Sequence, residues 1–360
     1  MPFSTLHSTP PDKEEFELSI FGPGVGECIV IHLGGGDWAI VDSCLDRNTG
    51  NPVALDYLRL LNVPSDAVKQ IVATHWHNDH CRGMSVLLGE YPSAKFVLSV
   101  ALKANEFRQL IAASRMEEGI GIDELRLALD VFAGIGGAGL MERRTFAIAD
   151  RPLFTSAHSQ VVCLTPSDRT MARSFVEIGS LIQEQQQRRR AASHSQNDVA
   201  VVLWIEFKDK LRILLGSDLE KTVDPERGWL AVVNSSLRPM EKAQIFKVAH
   251  HGSENADEAR VWLEMLTKNA HAVLTPYRLG VKPLPTEQDC ARLLSQTTEL
   301  YSTAPSHAPK PDLNPTVNRV VRRVAKSLRR LEGRMGHVRL RSAGRDVSVE
   351  LFGPAYRIST

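Results

Sequence analysis

The chain has 360 residues, 43% of them hydrophobic and 24% charged, and its 43 Lys and Arg against 42 Asp and Glu leave a formal net charge of +1. That length accommodates one large core with additions, the composition is that of an ordinary globular protein, and so balanced a charge gives by itself no pointer to nucleic acid. Five scattered cysteines, Cys28, Cys44, Cys81, Cys163 and Cys290, show no CxxC spacing and argue against a disulfide framework or a cysteine zinc site. No stretch approaches about 18 uninterrupted apolar residues. The opening MPFSTLHSTPPDKEEFELSIF lacks the basic-then-apolar pattern of a secretory signal. A cytoplasmic protein with no membrane span is expected.

Residues 16–44 read as three strands, FELSIF, CIVIHL and WAIVDS, separated by the glycine turns GPGVGE and GGGD. Pro52 to Leu61 is predicted helical. Val68 to Ala73 is a short apolar strand that stops abruptly at Thr74 and His75, so the histidines that follow lie in a loop. From about Met84 to Glu142 the pattern is mostly helical, with LLGEYP closing one helix and KANEFRQLIAASRMEE and IDELRLALDVF carrying helical periodicity. FAGIGGAG at 132–139 has no GxGxxG frame between strand and helix and reads as a turn, not a nucleotide cradle.

Strand character returns at Val161 to Leu164. A helix ending in QEQQQRRRAASHSQ leads to VAVVLWIEF, KLRILLGSD and QIFKVAHHGS, strands that end on polar residues able to bind metal. A helix over 256–267, the strand HAVLTPY, a helix over 286–295, a proline-rich linker over 305–315 and a closing hairpin in GHVRLRSAGRDVSVELFGPAYRI complete the pattern.

THWHNDH at 74–80 sets His75, His77, Asp79 and His80 close together. Imidazole and carboxylate suit zinc and related divalent ions, and alternating side chains in a tight loop address two adjoining ions. His75 and His77 are expected to hold one, Asp79 and His80 the other.

THWHNDHCRGM resembles the HxHxDH signature of the metallo-β-lactamase superfamily, and the resemblance spans about residues 16–285. Asp42 in WAIVDS resembles that superfamily's early aspartate, Asp218 in LLGSDLE its bridging aspartate, and His250 and His251 in VAHHGSEN its late histidine motif. The implied fold is α/β, an αββα sandwich over residues 1–300 with a helical insertion at about 100–150. A basic C-terminal helix and hairpin over 301–360 would pack on it. The implied cofactors are two divalent ions, zinc or manganese, with Asp218 bridging, His250 or His251 completing a shell, and the other of that pair meeting the substrate or protonating the leaving group. Asp79, Asp218 and His251 are the implied catalytic ligands. Asp42 either orients a ligand histidine or caps a turn, and Ser253 either contacts phosphate or caps a helix.

Within the superfamily, NDVAVVLWIEFKDKLRILLGSDLE followed by FKVAHHGS is most similar to the soluble hydrolase domain of ComEC-type DNA-uptake proteins. Asn197 matches that pattern, Ala200 replaces its serine, and Ser217 stands between Gly216 and Asp218. The membrane channel of those proteins has no counterpart here, so DNA uptake as such is not expected. Superfamily enzymes also supply a third histidine to the first ion from a strand end at which VVCLTPSD carries Thr165. Either His158 or His194 substitutes from a loop, or the first ion completes its shell with water or substrate oxygen, which favours manganese.

Between Lys310 and Arg345 eleven Lys and Arg face only Asp312 and Glu332. In NRVVRRVAKSLRRLEGR the valines and leucines recur at helical spacing, leaving Arg322, Arg323, Arg329 and Arg330 for a phosphate backbone, an acidic partner protein or solvent. The leading expectation is a phosphodiesterase or nuclease acting on nucleic acid or a signalling nucleotide. Its rivals are a lactone or ester hydrolase, and a non-catalytic regulatory or binding subunit with an incomplete metal site.

Overall fold

Strands that are apolar on both faces need cover on both sides, and that requirement organises the chain. The computed structural model describes residues 7–103, 122–136, 143–186, 196–208, 210–279, 282–307, 335–344 and 346–359. One sheet contains β1 (Phe16–Gly22), β2 (Cys28–His32), β3 (Trp38–Val41), β4 (Val68–Ala73), β5 (Lys95–Ser99) and β6 (Arg144–Ala147). The other contains β7 (Pro152–Thr155), β8 (Ser159–Cys163), β9 (Leu203–Phe207), β10 (Leu211–Leu215), β11 (Ala243–Lys247), β12 (Leu266–Leu274) and β13 (Leu300–Ser302). The C-terminal segment supplies β14 (Gly336–Ser342) and β15 (Ser348–Phe352) beyond β1, and β16 (Tyr356–Ile358) beyond β13.

Each eight-stranded sheet is mixed: antiparallel pairs lead into three parallel pairings, β3–β4–β5–β6 in one and β10–β11–β12–β13 in the other. Between the sheets lie Leu18, Ile20, Ile31, Val72 and Val97 of the first and Leu203, Ile205, Ile213, Ile245 and Val273 of the second. Against the outer face of the first sheet pack α1 (Val53–Leu60), α3 (Met84–Glu90) and α4 (Ile122–Gly136) through Tyr57, Leu58, Leu87, Leu125 and Phe132. The short α2 (Asn78–Cys81) carries part of the histidine loop, and α5 (Asp168–Gln186) follows β8. The outer face of the second sheet is covered by α6 (Gly228–Asn234) and α7 (Glu287–Leu294) through Trp229, Val232, Val233 and Leu293. The architecture is the αββα sandwich of the metallo-β-lactamase fold.

The strand at Val68 to Ala73 has the bounds read from its apolar run. The helix predicted over 256–267 is shorter: its regular part is a π turn over Val261–Met265, and Leu266 already pairs with Ala243 in the sheet. Sheet pairing overrides the helical spacing there. Residues 104–121 of the helical insertion and the whole basic segment 308–334 lie outside the described residues, and with them Arg322, Arg323, Arg329 and Arg330. Two other members of the basic run have a different role. Arg339 is 1% exposed and pairs with Glu350, and Arg341 pairs with Glu17, so Arg339 ties β14 to β15 and Arg341 serves the β1–β14 seam. Among the described residues no helix is long and apolar enough to cross a membrane.

That seam is unusually polar for a buried surface. His337 meets His7 at 2.7 Å and Ser19 Oγ at 2.9 Å, Ser19 and Tyr57 donate to Glu17 Oε1, and Phe21 and Phe352 stack on the His337 ring. Burial, then the neighbouring His7 and arginines, holds His337 well below the ordinary histidine range, and burial with Arg339 lowers His7 from 6.5 to about 4. Both rings are therefore neutral in the fold at pH values where an unfolded chain protonates them. Their stabilisation is complete above pH 6.5 and is lost as pH falls below it, for His7 down to about 4. Each such group costs up to about 1.4 kcal/mol per pH unit within its window. His337→Gln should lower stability at pH 7.5 but give a shallower acid decline than the wild type. Urea unfolding in chelator, repeated from pH 7.5 to 4, measures this; equal slopes would contradict it.

Candidate metal centre

Every side chain of the proposed centre leaves the carboxyl end of a strand, and the parallel pairings bring those ends side by side. Asp42 follows β3, His75 to His80 follow β4, Asp218 follows β10, and His250 and His251 follow β11. The β4 loop is tied down before its first histidine: Thr74 donates its N–H to Asp42 Oδ1 at 2.8 Å and its hydroxyl to Oδ2 at 2.7 Å. Trp76, 2% exposed, is driven into the core beneath the helices, which turns His75 and His77 the other way. Gly26 lets the β1–β2 turn approach this loop, since a Cβ there would lie 2.9 Å from Cys44 Cβ and 3.1 Å from the Asp79 carbonyl oxygen.

Two groups of ligand atoms share Asp218, each within 4.8 Å mutually: His75, His77 and Asp218 in one, and Asp79, His80, Asp218 and His251 in the other; a third, Glu27, Asp42 and His80, meets the same criterion and has its two carboxylates at His80 Nδ1. His75 Nε2 lies 3.0 Å from His77 Nδ1 and 3.9 Å from Asp218 Oδ2. Asp218 Oδ2 is also 3.3 Å from His80 Nε2 and 3.6 Å from His251 Nε2, and His251 Nε2 is 3.2 Å from Asp79 Oδ2. One carboxylate thus belongs to both groups. His80 Nε2 and Asp218 Oδ1 are buried with no hydrogen-bond partner. Orphaned polar atoms of this kind cost free energy unless something completes them. The donor set, imidazole nitrogens and carboxylates converging on a shared oxygen, fits a pair of divalent cations.

The far side of each ring is fixed as well. His80 Nδ1 lies 2.7 Å from Asp42 Oδ2, and His251 Nδ1 donates to the Thr275 carbonyl at 2.8 Å, so both present Nε2 to the cluster. Asp42 touches Thr74 and His80 and lies outside the two groups, as an orienting residue. Burial, then the neighbouring histidines, lowers His75, and burial likewise lowers His77, so both are neutral donors. Burial opposes charge on the remaining groups, but mutual attraction outweighs it: His80 and His251 are raised while Asp218 and Asp79 are held well below the usual carboxylate range. Ion binding at this second group would therefore compete with protons.

The adjacent histidines separate clearly. His251, 2% exposed, joins the cluster. His250 does not: its Nδ1 lies 3.3 Å from Glu220 Oε1 and 3.2 Å from Asn255 Oδ1, and Glu220 in turn accepts from Asn197 Nδ2 at 2.7 Å. Left-handed backbone at His250, His251 and Gly252, with φ of 43°, 56° and 83°, splays the two rings. Thr165 offers nothing to an ion, because its hydroxyl donates to the Ala200 carbonyl at 2.6 Å and accepts from the Val202 N–H at 2.7 Å. His158 precedes β8 at the opposite end from Thr165 and faces Glu14 at 3.1 Å, which removes it as a substitute; His194 lies outside the described residues. Ser253 makes no capping hydrogen bond from its side chain.

Sequence reasoning missed Glu27, Lys247, Glu220, Thr275 and Tyr277. Lys247 had a visible signal, a lone charge inside the apolar run QIFKVA, and Glu27 had another, a charge directly before the apolar strand CIVIH. Tyr277 stacks on His251 with ring centroids 5.2 Å apart and planes 19° from parallel.

Fold and site together define a metallo-β-lactamase-type sandwich carrying two adjoining ligand groups. Residues 21–167, which contain β2 to β8 and the histidine loop, match the family model described as the Metallo-beta-lactamase superfamily. No curated protein matches the chain. Among solved structures, human tRNase Z, short form, is similar at 12% identity over 78% of this chain and 90% of that one, with a TM-score of 0.36. MEM-A1, a subclass B3 metallo-β-lactamase from a soil metagenome library, is similar at 13% identity over 71% and 86%, also with a TM-score of 0.36. A metallo-β-lactamase with a HARLDQ motif from Cronobacter sakazakii shares 13% identity over 63% and 76%, with a TM-score of 0.33.

The sharing of Asp218 makes a stoichiometric prediction. His77→Ala should cost only the first ion and Asp79→Ala only the second, whereas Asp218→Ala should weaken both. Elemental analysis after exhaustive dialysis against low zinc or manganese reads the count. Two tightly held ions in Asp218→Ala would contradict the shared-ligand geometry.

Proposed function

We propose that this chain is a two-metal hydrolase that cleaves a phosphodiester in nucleic acid or in a signalling nucleotide. The observation that carries the reading is the Asp218 carboxylate common to two largely buried ligand groups, with two of their ligand-bearing side chains, His80 and Asp218, each holding a buried polar atom that has no hydrogen-bond partner. His75, His77 and Asp218 would hold one ion, and Asp79, His80, His251 and Asp218 the other. Bound there, zinc or manganese would lower the pKa of water and offset charge developing on a phosphoryl oxygen.

The chain's own residues supply the rest. Asp42 and Thr275 lock two imidazoles so that little reorganisation accompanies binding. His250, half-buried beside Glu220 and Asn255, stands next to the ligand His251 and is the group assigned to protonate the departing alkoxide. A phosphodiester is favoured over a lactone by the basic segment containing Arg322, Arg323, Arg329 and Arg330 and by the resemblance of the Asn197, Asp218 and His250–His251 motifs to ComEC-type hydrolase domains.

The test is a panel of bis-p-nitrophenyl phosphate, single- and double-stranded DNA, RNA, cyclic nucleotides and a lactone, with zinc and with manganese. Asp79→Ala and Asp218→Ala should abolish turnover without unfolding the protein. His250→Ala should reduce kcat by about 10²–10⁴-fold on an oligonucleotide, the usual span for a lost general acid. It should do far less on the p-nitrophenyl ester, whose leaving group needs no proton. Turnover of the lactone alone would replace the reading with an ester hydrolase, and no turnover with either metal would leave a binding subunit.

A second readout concerns the basic segment. Replacing Arg322, Arg323, Arg329 and Arg330 with Gln should weaken oligonucleotide binding and flatten its salt dependence by roughly 0.7–0.9 per lost phosphate contact, with hydrolysis of the p-nitrophenyl ester unchanged. An unaltered salt slope would remove the nucleic-acid half of the proposal.

A further inference from the structure

Below the second ligand group lies an ion pair sealed from solvent. Lys247 Nζ, fully buried on β11, donates to Glu27 Oε2 at 2.6 Å, and Glu27, 1% exposed, sits in the β1–β2 turn of the other sheet. The Thr275 hydroxyl donates to the same carboxylate oxygen, while the Thr275 carbonyl is the acceptor that orients His251. Glu27 also donates its backbone N–H to the Asp79 carbonyl at 2.9 Å. Its carboxylate oxygens stand 3.8 Å from His80 Nδ1 and 3.9 Å from His251 Nδ1, just outside hydrogen-bond distance of both rings.

A carboxylate so placed would be a competing acceptor for both imidazole N–H groups if it shifted by about an ångström. Lys247 and Thr275 hold it away. Loss of the lysine frees Glu27 to capture His80 from Asp42 or His251 from Thr275; loss of the carboxylate leaves a buried ammonium beneath a site that must accept cations. We propose that Glu27, Lys247 and Thr275 form a positioning device for the second metal site. It sets the direction of the His80 and His251 rings and screens that site from the buried lysine. The inference rests on the two-ion reading above and concerns only its second ion.

The test is titration of the metal-free protein with cobalt(II), followed by visible absorption, and by zinc competition against a chromophoric chelator. Glu27→Gln should weaken the second ion by about 10–100-fold, the span usual for residues that orient metal ligands, and alter the cobalt spectrum. The first ion, on His75 and His77, should change by less than a few-fold. Thr275→Val keeps the carbonyl and deletes only the hydroxyl tie, so it should shift the second ion in the same direction by a smaller factor; it carries the test if Glu27→Gln does not fold. Lys247→Arg should restore most of the second-ion affinity lost in Lys247→Met. Wild-type affinities and spectra in folded Glu27→Gln and Thr275→Val would overturn the proposal and leave the pair a bridge between sheets. Wild-type protein that binds fewer than two ions would instead overturn the two-ion reading, and this inference with it.

Discussion

The structure depends on bringing a carboxylate from one sheet against imidazoles from the other. Asp218 leaves β10 of the second sheet, yet His75, His77, Asp79 and His80 all follow β4 of the first. No local spacing can create that meeting; only the packing of the two inner faces does. The apolar layer between the sheets is therefore part of the site's geometry, because interiors this close-packed do not slide without cost. The carboxyl-end placement serves the same purpose, since parallel strands deliver their following loops to one edge.

Electrostatics then becomes the main difficulty. Glu27, Asp42 and Asp218 are buried, and Asp79 half-buried, within a few ångströms of shared imidazoles, with Lys247 as the fully buried cation among them. Against the effect of burial, this charge raises the affinity of His80 and His251 for protons, while burial lowers that of His75 and His77. The two ligand groups are consequently unlike. One is a pair of imidazoles that burial keeps neutral, beside a single carboxylate; the other is a charge-dense nest of imidazoles and carboxylates.

What could be read in advance follows the range of each interaction. The histidine loop was legible because its ligands lie within a few residues and its strand ends where the apolar run ends. Asp218 was legible as a polar stop to an apolar strand. The choice between His250 and His251 was not, because neighbours in sequence were separated by left-handed backbone. Thr165 was located correctly at its strand end, but its hydroxyl is committed to Ala200 and Val202, residues 35 and 37 positions away. Glu27 and Lys247 stand 220 positions apart, and no periodicity links them. The closing hairpin was legible as a hairpin, whereas its partner strand at the other end of the chain was not.

That last pairing bears on how the protein is made. β1 hydrogen-bonds along its whole length to β14, with Phe16 opposite Ser342 and Gly22 opposite Gly336. A ribosome would release most of the chain before β14 emerged, leaving the edge of β1 and the acceptors of Glu17 without their final neighbours. Contacts of such long sequence separation slow folding and prolong the exposure of an unpaired strand edge. Nascent chains of this protein should therefore be most vulnerable to edge-to-edge association, and most dependent on chaperones, during synthesis of the stretch between β13 and β14.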